Sequence, residues 1–142
     1  LGRAGCNVLT KYIYSKYIYL VPSRSSPFNP ESLLPLPSAA FHILIALADG
    51  DRHGYAIMRD VAAGTGGRLK LNPGTLYTTI RRLLEQGLVV ELVERRDPEE
   101  EDERRPYYRL PEMGRQVARA EAVRLQHALA FERQAGLAPK RT

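Results

Sequence analysis

Residues 72–87, reading Asn72-Pro73-Gly74-Thr75-Leu76-Tyr77-Thr78-Thr79-Ile80-Arg81-Arg82-Leu83-Leu84-Glu85-Gln86-Gly87, decide how the rest of the chain folds. Asn72 carries a side-chain oxygen that can cap a helix, and Pro73 suits the first helical position, where the N–H it lacks would have no partner. Gly87 fits the left-handed position just past the helix end. Between these signals Leu76, Ile80, Leu83 and Leu84 recur at helical spacing and make one apolar face. Thr78, Arg81 and Arg82 fall on the other side, with Thr75 and Tyr77 on the flanks. At about 3.6 residues per turn, Thr78 and Arg82 sit nearly opposite the centre of the leucine face. Two readings are open for that polar side. It is a solvated face of an ordinary helix, or it touches something anionic, the major groove of DNA being the leading candidate because it admits one helix and rewards Arg and Thr.

The surrounding chain has 142 residues, enough for one domain with a real core. Its net charge of +5 permits a nucleic-acid partner without demanding one. The distribution says more than the total. Residues 38–142 hold 17 Lys and Arg against 15 Asp and Glu, but six of those acids form one run, Asp97 and Glu99 to Glu103. Outside that run the body carries 17 basic against nine acidic residues, or +8. The lone cysteine, Cys6, excludes an intramolecular disulfide and fits a cytoplasmic setting. No apolar run approaches the ~18 residues of a membrane span. The N-terminus is a poor secretory signal, since Lys11 and Lys16 break its apolar stretch.

Residues 1–37 read as an N-terminal extension, disordered or adventitious. They contain a near-repeat, Lys11-Tyr12-Ile13-Tyr14-Ser15 then Lys16-Tyr17-Ile18-Tyr19-Leu20, whose alternation is strand-like. A basic, aromatic arm that follows a nucleic-acid backbone or a partner's sheet edge is the functional alternative. Pro22 to Pro37 is proline- and serine-rich and reads as a linker. A first helix is expected from Ser38, as its N-cap, to Ala48, apolar on most sides through Phe41, Ile43, Leu44, Ile45 and Leu47. A second is expected from His53 to Ala63, ended by Gly64-Thr65-Gly66-Gly67, which lacks the Lys-Ser/Thr of a phosphate-cradling loop. Arg68 to Leu71 alternates like a short strand.

After Gly87 the period changes to two. Leu88 to Glu94 and Pro106 to Leu110 read as the strands of a hairpin, with the charged Arg95 to Arg105 as its tip. From Pro111 the helical period resumes, and Val117, Ala118, Ala122, Leu125 and Leu129 form a stripe as far as about Gln134. A lone helix of this kind is not stable by itself, so it packs on the domain or on another chain, a second copy being preferred. The order of elements is that of a winged helix-turn-helix. The expected fold is mainly α (α+β), with a winged-helix domain at 38–110, a C-terminal dimerisation helix at 111–135 and a tail at 136–142.

The residues that carry this order resemble a known family. His53-Gly54-Tyr55-Ala56-Ile57, Pro73-Gly74-Thr75-Leu76-Tyr77, Arg82-Leu83-Leu84-Glu85-Gln86-Gly87-Leu88, and Tyr107-Tyr108-Arg109-Leu110 with Gly114-Arg115 are similar to motifs of the PadR family of bacterial and archaeal transcriptional regulators. The similarity runs from about Pro37 to Leu129, and its short C-terminus resembles the subgroup with a single dimerisation helix. It implies a winged helix, a homodimer built through the last and first helices, and repression of transcription, often relieved by phenolic acids, drugs or other small aromatic compounds. It also implies Thr75 and Tyr77 as DNA contacts. Asn72, Thr78, Arg81 and Arg82 join them from the face of the helix. Arg95, Arg96, Arg104 and Arg105 at the wing base are expected to meet the backbone, while the five carboxylates Glu99 to Glu103 swing away from phosphate or merely solubilise the loop. Phe41, Leu44, Val117, Ala118, Ala122, Leu125 and Leu129 are expected at the dimer interface. The family often places a capping Thr where this chain has Pro111.

Catalytic patterns are missing. His42, His53 and His127 are scattered over three expected helices without metal-ligand spacing, and His53 reads as a helix-start residue. No nucleophile elbow or cofactor fingerprint occurs, so neither enzyme, metal nor cofactor is expected. The expected partners are double-stranded DNA carrying an inverted repeat, a second copy of the chain and a small-molecule effector, with no membrane. Phe41, Leu125, Leu129 and Phe131 are candidate lining residues for that effector, with core packing as the alternative. The competing function is a winged-helix module for protein–protein contact without specific DNA binding.

Overall fold

The computed structural model describes residues 9–14, 17–22, 28–94 and 106–137. Three helices carry the domain: α1 (Ser38–Ala46), α2 (Gly54–Gly64) and α3 (Pro73–Glu85). They close over one core in which Ile43 and Leu44 of α1, Ile57 of α2 and Leu76, Ile80 and Leu83 of α3 are all buried. Two of them, α2 and α3, start where a side chain satisfies a loose N–H group of the first turn. Asn72 Oδ1 accepts the Thr75 N–H at 2.8 Å. His53 Nδ1 accepts the Ala56 N–H at 3.1 Å, so α2 begins one residue later than periodicity predicts and His53 is its cap. Ser38, expected as a cap, is instead the first residue of α1, and Pro37 precedes it with no side-chain bond. The Ser38 carbonyl is approached by the His42 ring nitrogen at 2.7 Å, and α1 stops at Ala46 rather than Ala48.

Strands β4 (Val90–Glu94) and β5 (Tyr107–Arg109) pair antiparallel, with Leu92 opposite Tyr107, and form the hairpin expected after Gly87. The third strand of the winged helix is not Arg68 to Leu71. It is β3 (Arg52–His53), between α1 and α2, paired with β5 as Arg52 with Tyr108 and His53 with Tyr107. The 65–71 segment is a turn whose Gly66 and Gly67 hold positive φ. Thr65 stands in for a ladder there: its hydroxyl donates to the Val61 carbonyl at 2.8 Å and accepts the Leu69 N–H at 3.1 Å.

The N-terminal region departs furthest from expectation. Strands β1 (Leu9–Tyr14) and β2 (Tyr17–Pro22) pair with each other, and β2 adds to β4 with Tyr19 opposite Leu92. The sheet order is therefore β1-β2-β4-β5-β3. The tyrosine–isoleucine alternation is thus realised as strand. The expected boundary at residue 38 is also too late. Leu36 is buried, and Phe28, Leu33 and Leu34 pack against the core. A short 3-10 turn, Pro30–Leu33, is capped by Asn29, whose side-chain oxygen accepts the Glu31 N–H at 3.1 Å. Its prolines disguised a segment whose leucines are core.

The last helix, α4 (Glu112–Ala135), follows β5 after Pro111 and ends at Gly136, in the left-handed conformation at φ 71°. Pro111 supplies no side-chain cap. Gly114 lies so close to the Leu88 carbonyl and the Leu110 side chain that a Cβ there has no room. Gly114, Val117 and Glu121 are buried, whereas every residue from 123 to 131 is exposed. The helix packs its first half on the domain and leaves most of its second exposed, with Glu132 half-buried.

Candidate nucleic-acid interface

The interface is built on α3. With Leu76, Ile80 and Leu83 buried, the helix cannot rotate, and its opposite side must face solvent. Gly74, Thr75, Thr78, Arg81 and Arg82 are exposed there. Among the described residues neither Arg81 nor Arg82 is held in an ion pair, so both guanidiniums are free to meet an anion. Asn72 stands at the head of this face, but its oxygen is committed to the cap. That makes it a positioning residue for the helix start and leaves only its amide group for an outside contact.

Tyr77 is 46% exposed and is placed by a neighbour that sequence reasoning passed over. Gly54 opens α2, and a Cβ on it would come within 2.7 Å of the Tyr77 hydroxyl. Only glycine lets the phenol lie against the start of α2. Tyr108 of β5 is the other neighbour. Burial, then the charge of Glu91 and the nearby Tyr77, push its hydroxyl up to about 12. It stays a neutral phenol at any ordinary pH. The His-Gly-Tyr motif was the signal that could have found Gly54, once read as a close approach rather than a helix start.

The wing is tied to the helices at β3. The His53 ring packs edge-on against Tyr107 at 5.6 Å while its Nδ1 caps α2. Asp51 receives the Arg109 guanidinium in two bonds, 2.9 and 2.7 Å, and Arg52 donates to Asp60 at 3.2 Å. Arg109 is thus a structural cation rather than a free one. Arg95, Arg96, Arg104 and Arg105 and the acidic tip lie outside the described residues.

The second surface is on α4. Leu125 and Leu129, on the expected dimer stripe, are exposed, and Phe131, on another side of the helix, is 75% exposed. Ala118 and Ala122 are half-buried, as is Phe41 on α1. Leu44 and Val117 are a correction: both are fully buried in this chain's own core and present nothing to a second copy. Periodicity shows that a face is apolar, not which chain covers it. Of the four candidate effector residues, none lines the shallow cavity of about 170 Å³ between α1 and α2, which is bounded by His42, Ile45, Asp60, Val61 and Thr65 among others. The buried Glu121 was also missed. No group of three or more candidate metal ligands occurs among the described residues, and none of their helices is long and apolar enough to cross a membrane.

Comparison with known proteins now decides the family. The model of the transcriptional regulator PadR-like family matches residues 43–120, more than half of the chain. The chain belongs to the PadR-like family. Solved PadR-like folds agree. A transcriptional regulator from Clostridium thermocellum superposes with a TM-score of 0.58 at 23% identity, covering 68% of this chain and 87% of that one. A PadR family regulator from Clostridium difficile gives 0.57 at 19% identity, over 69% and 97%. Bacillus subtilis PadR, solved in complex with operator DNA, gives 0.52 at 19% identity, over 61% and 47%. At these identities the PadR relatives speak for the winged-helix fold alone. No curated protein matches the chain.

Proposed function

We propose that this PadR-like protein is a homodimeric, sequence-specific DNA-binding transcriptional regulator of the cytoplasm, acting as a repressor. The observation that carries the reading is the exposed face of α3, where Thr75, Tyr77, Thr78, Arg81 and Arg82 stand away from the buried Leu76, Ile80 and Leu83. A helix so presented fits the major groove, with arginine and threonine at base edges and phosphates. The Bacillus subtilis relative in complex with operator DNA supports the same use of the fold. The exposed Leu125, Leu129 and Phe131 of α4 support a second copy as their cover. Two copies present two recognition helices to half-sites about 34 Å apart, so the operator is an inverted repeat. Release by a small aromatic or hydrophobic ligand held between the copies completes the reading.

The test is fluorescence anisotropy on the duplex upstream of the protein's own gene, beside a scrambled duplex, at two salt concentrations. Preference for the native duplex by about 10³ establishes specific recognition. The slope of affinity against salt then counts the phosphates neutralised. Weak and equal binding to a genome-wide pool of fragments sinks the reading and favours a protein-binding winged helix.

A further inference from the structure

The chain from Val61 to Leu84, which spans the end of α2, the connection after it and most of α3, holds four basic residues and no acidic one. Arg81 and Arg82 are on α3. The other two, Arg68 and Lys70, stand in the connection just ahead of it. The alternation of Arg68-Leu69-Lys70-Leu71, which is not a strand, sorts that connection into two faces. Leu71 is buried and Leu69 packs against the core, while Arg68 and Lys70 are exposed. Among the described residues neither of these two cations has an ion-pair partner. The acid that precedes the stretch, Asp60, is already taken by Arg52 at 3.2 Å and by Arg59 at 3.5 Å.

The connection is also held still. Gly66 and Gly67 take positive φ, 60° and 77°, and the Gly67 N–H reaches the Ala62 carbonyl at 2.8 Å. The Arg68 N–H donates to the Thr65 carbonyl at 3.2 Å. The Thr65 hydroxyl ties both sides, donating to the Val61 carbonyl at 2.8 Å and accepting the Leu69 N–H at 3.1 Å. The Lys70 stem passes by Gly67, where a Cβ would stand 3.9 Å from the lysine Cε. Two cations on a pinned backbone lose less freedom on meeting an anion than two on a loose loop. From Pro73 to Arg81, α3 rises about 12 Å, close to the ~12 Å width of the major groove. A helix seated there has one pair of cations at each end of that span. We infer that Arg68 and Lys70, presented by the Thr65-pinned turn, form a phosphate seat at the head of α3 that neutralises the DNA backbone beside the bases α3 reads. The inference rests on the DNA-binding reading above and adds to it a contact outside α3.

Arg68→Ala combined with Lys70→Ala tests it, by anisotropy on operator and scrambled duplexes from low to high salt. Each copy gives up two phosphates, so the dimer's slope of log affinity against log salt should become shallower by about 3.6, at roughly 0.9 per phosphate. Lys70→Ala alone should take about half of that. The ratio of operator to scrambled affinity should stay within about twofold, because phosphate contacts carry no sequence information. Arg119→Ala, at an exposed position on α4, removes one charge elsewhere and should leave the slope unchanged. Melting temperatures should match the wild type, since all three side chains are exposed. Equal flattening by Arg119→Ala and Lys70→Ala would make the effect one of net charge and overturn the seat.

The pinning has its own readout. Thr65→Val removes the hydroxyl that ties the connection and leaves both cations in place. Operator affinity at low salt should fall, and the same substitution should cost nothing further in the Arg68→Ala, Lys70→Ala background. A cost that persists in that background places the effect on α3 itself and overturns the pinning. A wild type that prefers its operator, with a salt slope that the double variant does not change, overturns the seat alone. A wild type that binds all duplexes weakly and alike overturns the regulator reading, and the seat falls with it.

Discussion

Helices α3 and α4 each bury one side in the same domain and leave another in water, yet the two free sides are chemical opposites. The free side of α3 carries Thr78, Arg81 and Arg82, which are well solvated and do not need cover. The exposed second half of α4 carries Val123, Leu125, Leu129 and Phe131, and each Å² of such surface left in water forgoes about 25 cal/mol of burial. A polar face can wait for its partner, while an apolar one is better covered throughout. The same packing logic thus assigns the two helices different kinds of partner: an occasional anionic one for α3 and a lasting apolar one for α4.

The sharpest way to break the contrast is to remove the buried side of α3. Ile80→Ala should cost about 2–5 kcal/mol in chemical denaturation, whereas Thr78→Ala on the free side should stay within about 0.5 kcal/mol. Equal effects would mean that α3 does not present the face described. On α4, Leu125→Glu together with Leu129→Glu should weaken self-association at least about 100-fold, or ~2.7 kcal/mol, in analytical ultracentrifugation. The monomer should keep its cooperative melt, since neither side chain is in the core.

Arg81→Ala or Arg82→Ala should lose about 1–3 kcal/mol of operator affinity if the residue reads a base, or reduce the salt slope by about one if it meets phosphate. Neither should move the melting temperature. Asn72→Ala separates capping from contact: about 1 kcal/mol of stability should go, with affinity falling only as far as α3 frays. The smallest effect concerns pH. The Tyr108 hydroxyl, raised from 10.0 to about 12, favours the folded state fully below pH 10, and that contribution is lost as pH rises through about 12. Tyr108→Phe should flatten that alkaline decline, seen by denaturation at pH 9 and at higher pH.

What could be read from the amino acids tracks how far each signal repeats. The α3 leucine face and the α4 stripe span several turns and strand β4 more than one alternation, so periodicity finds them, while the α3 cap is read from the residue types Asn72 and Pro73. β3 has two residues and no period to detect. Its pairing with β5 depends on Asp51 and His53 meeting Arg109 and Tyr107 across the fold. The segment from Phe28 to Pro37 was hidden by its prolines, although Leu33, Leu34 and Leu36 carried the apolar content of a core strip. Glu121 reads as a polar interruption of the stripe. With Arg124 three residues on it had a possible partner, but only the fold shows that its carboxylate is taken out of water while Arg124 stays at the surface. Leu44 and Val117 mark the limit from the other side, being apolar residues whose cover turned out to be their own chain.

The packing of the Pro30–Leu33 turn against α4 has a consequence for how this protein can be taken apart. A fragment trimmed to the three helices and the wing would keep the polar face of α3 yet lose that turn and α4 together. The segment from Phe28 to Pro37 and the last helix are one inheritable piece, although most of the chain lies between them. A chimera that borrows α4 from a relative should borrow that relative's leader segment with it, or the graft will join at an angle neither parent used.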